Sequence, residues 1–219
     1  MKNVLTVMLI GLMTMFFASN AHAIIIGGDV IGGYADAQGG VFQQITPPIG
    51  DVGNNNQQSW NLFGFNEDQN IVLGAPLSVD VGPSLTLPTG ETVASHYVFY
   101  DPPGTISRSI VGYVDFDADI LGIITSRTNL DNSDFLANVS ANYLSPSLRG
   151  LEAVDGDSAT IDSTYAYRLN ISLSASSPGD YIRVLTKRSP GHDKVIPEPS
   201  TMLMMGLASG LMFVRRFRK

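Results

Sequence analysis

Two groups of aspartates are the first residues whose types and spacing suit chemistry. Asp115, Asp117 and Asp119 alternate through "VDFDADI". In an extended strand, side chains at i, i+2 and i+4 share a face, so three carboxylates would stand about 7 Å apart along it. Asp155, Asp157 and Asp162 cluster in "DGDSATID". Asp-Gly-Asp forms turns readily and also offers oxygen ligands to a hard cation. Calcium is the ion such oxygens suit, with Asp155, Asp157, Asp162, Asp115 and Asp117 as its candidate ligands. An EF-hand starting at Asp115 is excluded: Ile120 stands at the sixth loop position in place of glycine, and Ser126 at the twelfth in place of glutamate. Neither group requires an ion, because a wet strand face and a solvated turn use aspartate equally well.

Trp60 follows the polar run "DVGNNNQQS", which reads as a loop. A flat indole beside amides is a chemistry that binds sugars, so Trp60 and Asn56 are the candidate glycan contacts. Tyr97, Tyr100, Tyr143, Tyr165 and Tyr167 are the other aromatics considered, and most are expected to fill a core.

No catalytic residue is assigned. His192 sits in a polar stretch near the C-terminus, and His96 lies in an apolar strand where a packed or paired role is expected. There is no H-E-x-x-H pair for zinc, no G-x-S-x-G elbow and no phosphate-binding glycine loop ahead of a helix. A polysaccharide-active enzyme needs only two carboxylates, so that alternative stays open on so acidic a chain.

The elements that would carry these residues are strands. "YAYRLNISLSA" places Tyr165, Tyr167, Leu169, Ile171 and Leu173 on one face and Arg168, Asn170 and Ser172 on the other, the pattern of a half-buried antiparallel strand. "TVASHYVFYD" and "SIVGYVDFDADILGIIT" also show period two, the latter as two strands or one bent strand. "DYIRVLT" follows "SSPG" and reads as the second arm of a hairpin with "YAYRLNISLSA". Residues 24–33 read as a first edge strand. The one helical turn expected lies around Ser133 to Leu136. These features predict an all-β, jelly-roll-like antiparallel β-sandwich over residues 24–188.

Charge and cysteine usage narrow the setting. The chain is −7 at neutral pH, and five of its 13 basic residues lie in the extreme ends against one of its 20 acidic residues. The body is therefore strongly acidic and repels nucleic acid. With no cysteine there are no disulfides and no site for a lipid-carrying cysteine, so a hydrophobic core must hold the fold.

Both ends read as addresses. Lys2, an apolar run over residues 4–18 and Ala21-His22-Ala23 make a signal peptide over residues 1–23, cut by signal peptidase after Ala23. Residues 189–196 read as a linker. Beyond it, residues 201–214 are apolar or small, about 21 Å as a helix against a hydrocarbon core of ~30 Å, a marginal membrane span. Arg215, Arg216, Arg218 and Lys219 follow it and would stay on the cytoplasmic side, leaving the body outside. Pro197 and Pro199 keep the chain extended and accessible ahead of it.

The ordered set Pro197, Glu198 and Pro199, a short span and Arg215-Arg216 resembles the PEP-CTERM sorting signal of Gram-negative bacteria, over residues 197–219. That resemblance implies recognition by an exosortase, removal of the tail near the Pro-Glu-Pro step, and release or attachment of the body at the cell surface beside exopolysaccharide or biofilm systems. "ASHYVFYDP", "FDADILGIITS", "LRGLEAVDGDSA" and "SPGDYIRVLT" resemble segments that recur in a group of PEP-CTERM proteins; they imply a shared sandwich and no activity. The expectation is an exported, non-catalytic structural or adhesive protein. The alternatives are a carbohydrate-binding module, calcium-assisted or not, and a polysaccharide-active enzyme.

Overall fold

A computed structural model describes residues 23–152 and 156–188. In chain order it contains β1 (Ile25–Gly32), α1 (Gly33–Ala37), β2 (Phe42–Gln44), β3 (Gly50–Asp51), β4 (Leu62–Asn66), β5 (Ile71–Val72), β6 (Leu77–Ser78), β7 (Thr86–Leu87), β8 (Thr92–Tyr100), β9 (Arg108–Phe116), β10 (Ile120–Ile124), α2 (Arg127–Asn132), β11 (Ala141–Asn142), β12 (Ser158–Ile161), β13 (Arg168–Ala175) and β14 (Asp180–Lys187). A 3-10 turn at Asp134–Leu136 falls where the sequence places a helical turn. The short helices α1 and α2 were not anticipated.

The strands form two principal sheets. Sheet I has the order β1-β9-β13-β12 and is antiparallel throughout. Sheet II has the order β10-β14-β8-β4-β2, with β5 also on β8; only β2 and β4 run parallel. The architecture is all-β, with β1 at an edge as the sequence suggests.

One apolar cluster joins the two sheets. Ile110, Val114 and Phe116 of β9 and Leu169, Ile171 and Leu173 of β13 pack with Val98 and Tyr100 of β8 and Ile182 and Val184 of β14. A second cluster lies on the other face of sheet II, where Phe65, Tyr97, Phe99, Tyr181 and Leu185 are covered by Leu77, Leu87, Leu130 and Leu136 from the connecting segments. Sheet II is therefore a middle layer with both faces buried. This explains two kinds of strand sequence. In β13, burial alternates with the residue. In β8 and β14, nearly every residue is buried, polar ones included.

The expected hairpin of β13 with β14 does not form. β13 pairs with β9 and β12 in sheet I, whereas β14 pairs with β8 and β10 in sheet II. The link between them crosses from one sheet to the other, because a strand apolar on one face and a strand buried on both belong in different layers. The turn at Asp117–Asp119 makes the same crossing, sending β10 to sheet II.

Candidate functional site

One end of the sandwich gathers several of the residues singled out above. The loop between β3 and β4 closes around Asp101, the residue after β8. Asn55 and Gln57 donate backbone N–H groups to its two carboxylate oxygens at 3.1 and 3.0 Å, and Ser59 N–H donates to its carbonyl at 3.0 Å. Asn54, Asn55 and Gln58 take left-handed backbone angles of φ 54°, 64° and 42° within this wrap. Asparagine tolerates that region better than most residues, which suits Asn54 and Asn55. Burial pushes the Asp101 carboxyl upward, and the backbone amides from the loop oppose the shift.

Three side-chain amides of this loop bond its own backbone. Asn56 Nδ2 donates to Gly53 O at 2.6 Å, Gln57 Nε2 to Asp51 O at 2.8 Å and Gln58 Nε2 to Asn55 O at 2.8 Å. Asn55 Nδ2 reaches Ser177 Oγ at 2.9 Å, tying the loop to the segment before β14. Trp60 is half-buried against the inter-sheet core and meets Tyr34 of α1 edge-on, with ring centroids 5.2 Å apart. The Arg108 guanidinium lies 4.2 Å from the centre of the Tyr34 ring. The sequence pointed to Trp60 and Asn56 together; the structure leaves the asparagine exposed, with its amide nitrogen tied to the loop backbone, and places the indole in an aromatic–arginine cluster.

A carboxylate cluster belongs to the same end. Oxygens of Glu152, Asp157 and Asp180 all lie within 4.8 Å of one another. Asp180 opens β14 opposite Tyr100 and is buried, Asp157 accepts the Ser174 N–H at 2.7 Å, and Glu152 is exposed. Ser174 and Ala175 sit beside Arg108 across the β9–β13 ladder, which connects the carboxylates with the aromatic cluster. Three carboxylates around one point repel each other, and a hard divalent cation with oxygen ligands relieves that repulsion.

Of those three, only Asp157 was named from the sequence. Glu152 and Asp180 carry no local spacing signal, because only the folded chain brings these distant segments together. Asp155 lies outside the described residues. Asp162 caps a turn instead: it accepts N–H groups of Thr164 and Tyr165 at 2.8 and 2.9 Å and the Asn170 amide at 2.9 Å. The Asn170 bond and then the two backbone bonds hold its carboxyl below the usual range.

The aspartates of "VDFDADI" are not one array, because β9 ends at Phe116 and the chain turns. Asp115 binds Arg168 through two bonds of 2.7 and 2.8 Å. Asp117 accepts the Ile24 N–H at 2.9 Å, and Asp119 pairs with Lys187 at 2.9 Å. On the outer face of sheet I, the Arg168 guanidinium also lies 3.9 Å from the centre of the Tyr113 ring.

His96 is fully buried between the sheets. Asn66 Oδ1 accepts the Ile25 N–H at 3.1 Å, so it is an acceptor toward His96 Nδ1 as well, at 2.9 Å. The proton is thereby assigned to Nδ1, leaving Nε2 to accept from Thr186 Oγ1 at 3.1 Å. Burial lowers the imidazole pKa to about 3, so the ring is neutral. A cavity of about 270 Å³ lies in the layer covering sheet II, lined by Pro76, Leu77, Ser78, Asn129, Asn132 and Phe135 among others. No described helix is long and apolar enough to cross a membrane.

Residues 195–219 match the PEP-CTERM protein-sorting motif. Pro197, Glu198, Pro199, Arg215 and Arg216 fall within that match; together with the signal-peptide residues 1–22, the linker and His192, they lie outside the described residues. The motif implies an exported protein recognised by an exosortase through a C-terminal sorting signal. No curated protein and no solved structure matches the chain.

Proposed function

We propose that this chain is a non-catalytic structural or adhesive protein of the cell surface or extracellular matrix, working beside exopolysaccharide. It enters the export route through its first 23 residues, and an exosortase then trims the tail near Pro197-Glu198-Pro199. The observation that carries this reading is the sorting motif at residues 195–219, set behind an all-β body. Support comes from the way the body's polar groups are used. Arg183 with Glu67, Arg168 with Asp115 and Arg149 with Asp134 are structural pairs inside the fold. The intact mass of the protein recovered from cells tests the reading. A mature form lacking both ends is expected with exosortase present, and a form retaining Lys219 when the enzyme is deleted. An unprocessed chain in the proficient host would overturn it.

A second reading is calcium-assisted carbohydrate binding at the loop end of the sandwich. The convergence of Trp60, Tyr34 and Arg108 with Glu152, Asp157 and Asp180 favours it. Indole and phenol rings stack on the apolar faces of sugar rings, and a carboxylate-held cation can take sugar hydroxyls as further ligands. A glycan array run with calcium and with chelator tests it; retention lost on chelation supports the reading, and no retention in either condition removes it.

A further inference from the structure

The start of β1 is held by three hydrogen bonds. Ile24 N–H donates to Asp117 Oδ1 at 2.9 Å, Ile24 O accepts the Asp117 N–H at 3.0 Å, and Ile25 N–H donates to Asn66 Oδ1 at 3.1 Å. Asn66 is itself fixed by buried His96. The other carboxylate of the same turn, Asp119, holds Lys187. We infer that export processing converts the first of these bonds into an ion pair, so that Asp117 is the seat of the mature amino terminus.

This rests on the reading of residues 1–23 as a signal peptide. Water cleaves the Ala23–Ile24 bond: the Ala23 carbonyl takes the hydroxyl and leaves as a carboxylate, and the Ile24 nitrogen takes up protons to become an ammonium. The atom that gains the charge already lies at hydrogen-bond distance from Asp117. A charge-assisted bond is about twice as strong as a neutral one. Chain ends fray unless tied down, and this one begins an edge strand. The seat fits one cleavage point only. A cut after Ala21 would move the ammonium two residues along the chain, about 7 Å in an extended strand and out of reach of Asp117.

The test uses the protein exported from its full-length precursor. Intact mass and amino-terminal sequencing come first, with Ile24 expected as the first residue; any other start overturns the seat and, where the leader is retained whole, the export reading too. Melting temperature follows for four exported proteins. These are the natural chain, Asp117→Asn, a chain with one glycine inserted between Ala23 and Ile24, and the two changes combined. In the natural background, Asp117→Asn lowers Tm by about 2–4 °C in low salt. In the glycine background the same substitution has less than half that effect, and 1 M salt shrinks the natural-background effect, as an exposed ion pair requires. Equal effects in both backgrounds, or none in the natural one, overturn the inference.

Discussion

Glu67 and Arg183 meet on the outer face of sheet II with neither side chain reaching solvent. Arg183 Nε lies 2.7 Å from Glu67 Oε2, and Nη2 lies 2.9 Å from Oε1. Ser95 and Tyr143 hydroxyls donate to the two Glu67 oxygens at 2.6 Å each, and Arg183 Nη1 also donates to Ser133 Oγ at 2.6 Å. The pair thus fastens the covering layer to the middle sheet. Without Glu67, buried Arg183 keeps only a longer contact with the Asp134 carboxylate at 3.3 Å, so Glu67→Gln is expected to cost about 3–5 kcal/mol in urea unfolding. The double change Glu67→Leu with Arg183→Met should cost less than either substitution alone. A single-mutant loss below about 1 kcal/mol would show that water reaches the pair.

His96 gives the fold an acid sensitivity whose sign is fixed. Burial depresses the native pKa from 6.5 to about 3. Below pH 6.5 the unfolded chain gains a proton that the native chain does not, so the histidine favours unfolding increasingly as pH falls toward 3. Above 6.5 it contributes nothing to the pH dependence. The slope approaches about 1.4 kcal/mol per pH unit inside that window. His96→Gln should flatten the stability curve between pH 6 and 4 relative to the natural chain, to an extent on the order of that slope. Parallel curves would contradict the buried neutral ring.

Gly112 of β9 faces the β1 backbone with no room for a side chain. A Cβ there would stand 2.5 Å from the carbonyl oxygen of Asp29 in β1, a backbone atom that cannot swing away. Gly112→Ala should destabilise the fold by about 1–3 kcal/mol. Amide exchange would place the loss, with faster exchange across residues 25–32 than in β13.

At the loop end, the calcium reading makes its own prediction. Millimolar calcium should raise the Tm of the natural chain and leave Asp157→Asn and Asp180→Asn unmoved. A ligand at 100 times its Kd adds about 2.7 kcal/mol. An unchanged melt of the natural chain, measured beside an EDTA control, would end the proposal.

Processing should depend on the Pro197-Glu198-Pro199 step rather than on the body. Replacing Pro197 and Pro199 with alanine is expected to leave the recovered protein's mass higher by the untrimmed tail, and Arg215→Ala with Arg216→Ala to do the same through lost retention at the membrane. Normal trimming of both variants would count against the assignment of the motif.

How much was legible in the sequence depended on range. β13 announced itself because one face is wet and the other packed, so its side chains alternate. β8 and β14 were visible as strands, yet their place in a doubly covered sheet was not, since His96 and Arg183 look polar until their distant partners are known. The pairing of β13 with β14 was misread for the same reason: proximity in sequence suggested a hairpin, and layer membership decided otherwise. Asp157 could be named from its turn. Glu152 and Asp180 could not, because the contact that unites them exists only after the sheets assemble.

The ladder of β8 with β14 has a consequence for passage through a secretion channel. It joins residues 93–100 to residues 180–187, so the middle sheet cannot be completed until nearly all of the body has emerged. Long-range pairing of this kind is slow to nucleate. The threading chain therefore stays pliable while it is drawn across, and the Pro197 step follows β14 closely. On the export route proposed above, shape and destination would be settled at almost the same moment.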